Sequence, residues 1–306
     1  MKRTFWVAGG AVLLALLYVG TGRAQMSQSP APAPAPATAP AQGTTGQAPS
    51  GQLPSGQLPS GQGTGAGQGG AAAPVKPPVD PAEEAAYKAI LAVHGTNAAQ
   101  QIQLGEAFAA KYPTSRYLAG VYSTLALDYL TTGAGDKVIP AAQKAIDLDP
   151  DNVDALSVLV WATARTLSPA APGAADEFAK LENYAHHAIT LLTAMVAPAG
   201  TDPAQFAIAK NDNLSMCHSG LGVIEFKQHQ YDEAVAELTQ AVQLADTPDA
   251  VDYFMLGHAD EATGHFADAE AAYTKCTDQG PMTDRCKAGL ADAKQRELLA
   301  PAAPKP

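Results

Sequence analysis

Histidine and cysteine are the side chains best suited to metal or nucleophilic chemistry, and this 306-residue chain has seven of the first and three of the second. Their spacing works against a site. His186 and His187 are adjacent, so on a helix they point in different directions and cannot share one metal. His218 and His258 lie about one structural unit apart but at unequal positions within their helices, which favours two separate histidines over a shared ligand pair. Cys217, Cys276 and Cys286 lack the spacing of a zinc site. The HExxH, GxSxG and GxxxxGK[ST] patterns that position zinc, a nucleophilic serine or a phosphate are all absent. Gly220-Leu221-Gly222 is a fragment of a glycine pattern, but it sits inside a helical stretch, where close helix packing explains it. The expectation is a protein that is not an enzyme and uses no cofactor and no metal.

The elements that would position a binding surface emerge from a very uneven composition. No charged residue occurs from Ala24 to Val75. All 30 acidic residues and 16 of the 19 basic ones come later, which leaves that part at −14. So acidic a surface repels phosphate backbones, and nucleic acid is not an expected partner. After Pro81 the chain is rich in Ala, punctuated by Tyr and poor in β-branched residues, the composition of helices.

The N-terminus reads as an export signal over residues 1–24. Lys2 and Arg3 precede an apolar run from Phe5 to Gly20, and Gly22-Arg23-Ala24 places small residues before Gln25. The segment is either cleaved or kept as an anchor, although its apolar run is short for a hydrocarbon core of about 30 Å. Both readings place the remainder outside the cytoplasm, in the periplasm or beyond, and the second adds a membrane tether. Residues 25–80 are a linker: a Pro-Ala run, the pentapeptide PSGQL twice, PSGQG once, then a Gly-rich stretch. Such a segment buries too little apolar surface to offset the entropy of ordering, so disorder is expected. The same holds for the tail, 299–306. The folded domain is expected over 81–298.

Within that domain one pattern is written twice. Leu221-Gly222 returns as Leu256-Gly257, Tyr231 as Phe266, Ala234 as Ala269 and Leu238 as Tyr273, always 35 residues apart. Leu-Gly, a mid-repeat aromatic and a downstream Ala at this period resemble the tetratricopeptide repeat (TPR), a helix–turn–helix unit of 34 residues. Fitting the rest of the chain to that register gives five helical hairpins and a capping helix. The second unit closes on AIDLDPDN before Val153, and the third carries a long turn, SPAAPGAAD. That turn is either a partner-binding loop or a tolerated insertion. The fourth unit opens at Asp202-Pro203, either with one unusually long helix to Lys227 or with a break at Asn211–Asn213. The fold expected is all-α, a TPR-type α-α superhelix (solenoid) capped by Thr283 to Leu298.

The resemblance implies a protein–protein interaction scaffold whose first helices line a concave groove. Carried over by position, the groove would hold Asp154, Ser157, Trp161 and Arg165 from the third unit. The fourth would add Met216, Ser219, Phe226 and Lys227, and the fifth Phe254, His258 and Glu261. The Lys and Asn with which some family members clamp a peptide carboxylate are missing here, so that activity is not implied. Trp161 is the first choice for a contact residue, with the rings either exposed to an extended or helical peptide or packed inside a tight superhelix. A structural role, with the array self-associating or spacing layers of an envelope, is the other reading. In an exported chain, Cys276 at the end of the last hairpin and Cys286 in the cap's first turn are candidates for a disulfide. Cys217 is expected to stay a buried thiol.

Overall fold

Each predicted hairpin has a physical start and stop, and the computed structural model shows them over residues 80–299. These residues fall within one compact unit of the chain. The expected export signal and linker, up to Val79, and the expected tail beyond Leu299 lie outside the described residues. Among the described residues there are eleven α-helices and no strand. None of these helices is long and apolar enough to cross a membrane.

The first hairpin pairs α1 (Pro81–Ala92) with α2 (Ala98–Lys111). Asp80 accepts a hydrogen bond from the Ala82 amide, Pro81 occupies the first helical position, and Glu83 and Glu84 face the positive end of the helix dipole. Asn97 caps α2 by accepting from the Gln100 amide at 3.0 Å. The second hairpin is α3 (Leu118–Thr132) with α4 (Gly135–Leu148), and the third is α5 (Val153–Thr166) with α6 (Ala174–Ala194). The fourth is α7 (Pro203–Lys227) with α8 (Tyr231–Leu244), and the fifth is α9 (Ala250–Thr263) with α10 (Phe266–Cys276). A single 3-10 turn, Gly280–Met282, leads into the cap helix α11 (Thr283–Leu299).

The twofold pattern in the sequence now has a packing reason. A side chain at Gly222 would place its Cβ 2.6 Å from Leu238, and one at Gly257 would sit 2.7 Å from the Tyr273 ring. The glycines let the two helices of each hairpin approach closely enough for Leu238 or Tyr273 to fill the gap. The hairpin turn at Gly264 has φ 82°, a left-handed backbone that glycine adopts without steric cost. Between the helices, Leu156, Leu181, Leu192, Leu221 and Leu238 are fully buried. Each such side chain contributes about 1.5–3 kcal/mol on leaving water.

Two units depart from the common length. α6 has 21 residues and α7 has 25, against 14 for α5, α8 and α9. Of the two readings for the fourth unit, the unbroken helix is the one observed. Its added N-terminal half is held by Lys210, whose Nζ donates to the Thr193 and Met195 carbonyls at 3.2 Å each. Cations at a helix C-terminus offset the dipole there. The long turn of the third unit becomes the segment between Thr166 and Ala174, with Gly173 left-handed just before α6.

At the C-terminal end, Cys276 and Cys286 are joined by a disulfide with Cα atoms 5.8 Å apart. It ties the last turn of α10 to the first turn of α11. Closing so short a loop is worth about 2–3 kcal/mol in the chain-entropy account. A Cys276→Ala/Cys286→Ala variant is therefore expected to release α11 earlier in a urea titration by about that amount. Hydrogen exchange of the α11 amides measures it, and unchanged protection would show that packing alone holds the cap.

Candidate functional site

α5 carries Ser157, Trp161 and Arg165 at successive turns, one stripe aimed at α7 and α9. The stripe is occupied by the protein itself. Ser157 is fully buried, donates to the Val153 carbonyl at 2.7 Å and lies 3.3 Å from the Cys217 sulfur. Trp161 is 8 % exposed, and the Arg165 guanidinium stacks on its ring at 4.1 Å. Arg165 also donates to Asp252 at 2.5 Å, to Ser219 at 2.8 Å and to Asp249 at 3.3 Å. Ser219 in turn donates to Asp252 at 2.8 Å. Lys227 turns back onto the C-terminus of α5, with its Nζ 2.6 Å from the Ala164 carbonyl and 2.7 Å from that of Leu167.

The expected contacts Ser157, Trp161 and Arg165 are thus packed against their own protein, the tight alternative for the groove. All three lie on one face of α5, and Asp249 and Asp252 of the fifth unit reach that face and pair with Arg165 across Ser219. Paired charges can be buried where a lone one cannot. Burial pushes the Asp252 carboxyl above the usual carboxylate range, and the Arg165 guanidinium beside it pulls the other way. Burial, with Arg165 nearby, also holds the Lys227 ammonium below its ordinary value. Burial pushes the Cys217 thiol up to about 12, so it is a packed, inert thiol and not a nucleophile.

The other three expected contacts come together further along α7 and α9. His258, on α9, is exposed, and its ring meets Phe254 edge-on at 4.7 Å and Phe226 of α7 at 6.3 Å. Beneath them Tyr273 lies 5.9 Å from His258 and 6.0 Å from Phe254. Phe226 and Phe254 are half-buried. The rings flank a shallow, open pocket of about 420 Å³ lined by Phe254, His258 and Glu261 of α9 and by Arg285, Gly289 and Asp292 of α11. Those positions are i, i+4, i+7 on each helix, one helical face opposite another.

Glu261 is the unusual member. Its side chain is 7 % exposed. Oε2 accepts from the Tyr273 hydroxyl at 2.9 Å, and the His258 Nδ1 lies 3.6 Å away. Oε1 is buried with no hydrogen-bond partner. Burial and the Glu261 bond raise the Tyr273 hydroxyl above its usual range, so it remains a donor at any physiological pH. Glu261 was among the positions expected to face the groove. The contribution of α11 had no such signal, because a capping helix has no counterpart in the repeat pattern.

Five stacked hairpins, the last two with a glycine at the helix crossing, and a terminal cap define a TPR-type array. Similar solved structures include a thermophilic TPR protein from Thermus thermophilus, 18 % identical over 70 % of this chain and 99 % of that one, TM-score 0.38. Another is PilW, described as a widely conserved type IV pilus biogenesis factor, at 13 % identity over 72 % and 93 %, TM-score 0.43. A tetratricopeptide repeat protein from Parabacteroides merdae matches at 11 % over 69 % and 98 %, TM-score 0.32. No family model matches the chain, and no curated protein matches it.

Proposed function

We propose that this chain is a non-catalytic interaction scaffold of the cell envelope that takes a peptide or protein partner on the first-helix side of its last two hairpins. The observation that carries the reading is the half-open run of rings, Phe226, His258 and Phe254, beside an open pocket. Aromatic side chains with one face free offer large contact area at low entropic cost, the usual make-up of a binding hot spot. The envelope location rests on the basic and apolar N-terminal residues, and the N-terminal residue of the exported chain, Gln25 or Met1, decides between a cleaved signal and an anchor.

Cross-linking pull-down with the full chain tests the surface. A Phe254→Ala/His258→Ala variant that keeps its helical circular dichroism is expected to lose most partner recovery. Recovery equal to that of the unaltered chain would overturn the assignment. Trp161→Ala is not a suitable probe of contact, because that ring is a platform for Arg165.

A further inference from the structure

The pocket between α9 and α11 is lined by an acidic residue that the aromatic surface alone does not explain. Glu261 is more than nine-tenths buried, yet Oε1 has no donor. Leaving a buried carboxylate oxygen unpaired costs free energy, and such atoms ordinarily have a partner. Tyr273 already serves Oε2, and its ring is fixed between Gly257 and Gly289, where a Cβ on either glycine would lie 2.7 or 2.5 Å from it. Tyr273 therefore cannot swing to reach the second oxygen. Phe254 and His258 supply the neighbouring walls. A buried carboxylate and aromatic side chains lining one pocket match the needs of a cation, which gains from charge and from the rings together. The folded part of the chain is strongly acidic, with 30 acidic residues against 16 basic ones after Val75, and draws positive partners toward it.

We propose that this pocket receives a lysine or arginine side chain of the protein partner, with its cationic head paired to the Glu261 carboxylate, whose unpaired oxygen turns outward to meet it, and its methylene stem against Phe254 and His258. This rests on the interaction reading above and names the chemistry of the partner's anchor. The exposed Arg285 sits on the α11 rim and forms no ion pair among the described residues, while Asp292 is taken by Arg296 at 2.9 Å. Arg285 is thus a like charge at the mouth of the pocket, which limits affinity and selects a partner that carries acidic residues next to its basic one.

Blocked pentapeptides with a central lysine, arginine, norleucine or glutamate between alanines are the probes, titrated to millimolar concentration against the isotope-labelled full chain. The lysine and arginine peptides are expected to shift the amide signals of α9 and α11, and the norleucine and glutamate peptides are not. Glu261→Gln, which keeps an acceptor for Tyr273, is expected to weaken the basic peptides about tenfold or more, the scale of a charge-assisted hydrogen bond. Arg285→Gln, a change on an exposed rim, is expected to tighten them about two- to threefold. Binding of the glutamate peptide, lost in Arg285→Gln, would overturn the proposal, as would no response to any peptide. Envelope partners recovered normally by Glu261→Gln but lost with Phe254→Ala/His258→Ala would overturn the pocket's role and leave the aromatic docking surface standing.

Discussion

Replacing Arg165 with methionine is expected to destabilise the array by about 3–5 kcal/mol, the cost of removing one partner from a buried ion pair. The Arg165 and Asp252 side chains are 8 % and 5 % exposed, so little solvent is present to take over the lost interaction. Ser219 would still donate to Asp252, but one hydroxyl does not neutralise a carboxylate. The loss should depend on pH in a defined direction. Without Arg165, burial and the nearby Asp249 charge outweigh the Ser219 hydrogen bond and hold the folded-state pKa of Asp252 above the unfolded value. The folded state then binds the proton more tightly, so stability is retained at acid pH and falls as pH rises from the unfolded pKa through the folded one. The variant's deficit in urea should accordingly be smaller at pH 5 than at pH 8. Arg165→Met/Asp252→Leu, which removes both charges, should recover most of the loss. An equal deficit at both pH values would mean that Arg165 acts through packing on Trp161 and not through charge.

Tyr273→Ala should cost about 3–5 kcal/mol, the range for emptying a buried aromatic site. Tyr273 is fully buried, and glycines of α9 and α11 press on its ring from two sides. Gly257 and Gly289, which press on the ring, have no side chains to refill the space. The disulfide keeps α11 attached, so the expected result is a loosened cap and not a lost one: faster proteolysis of α11 with Cys276–Cys286 intact. Tyr273→Phe separates volume from hydrogen bonding. It fills the site but takes the donor from Glu261, and should cost about 1–3 kcal/mol. Equal proteolysis rates for the alanine variant and the unaltered chain would show that Tyr273 does not hold α11.

The hairpins were legible in the sequence because their determinants are local and periodic. Asp80-Pro81 and Asp202-Pro203 state helix starts, Gly264 states a turn, and the 35-residue recurrence of Gly222 and Leu238 as Gly257 and Tyr273 states a helix crossing. The unbroken run of α7 through Asn211–Asn213 was left open by sequence, since Asn and Asp are weak in helix interiors and here tertiary bonds hold them, Asn213 donating to Asp154 of α5 and Asp212 accepting from the Asp246 amide. The site was legible in part. Phe226, Phe254 and His258 could be placed on one face from register alone. That Ser157, Trp161 and Arg165 are filled in by their own protein could not, because it depends on Asp249 and Asp252 arriving from 84 and 87 residues away. Nor could the repeat suggest that α11 supplies a wall of the pocket, as the pattern ends one helix before it. The irregular third unit and the entry to the fourth, which looked most individual in sequence, carry a stabilising network, whereas the open surface lies at the regular end.

The reach of Arg165 has a consequence for how the array comes apart. In a stack where each hairpin touches only its neighbours, an end can fray one unit at a time and the middle is indifferent. Here a side chain of the third hairpin holds the first turn of the fifth, with Ser219 of the fourth threaded between them. The last three hairpins are in this sense buttoned together: opening any one undoes a bond that belongs to the other two. They should melt as a single block, and the surface carrying His258 and Phe254 keeps its shape until that block gives way.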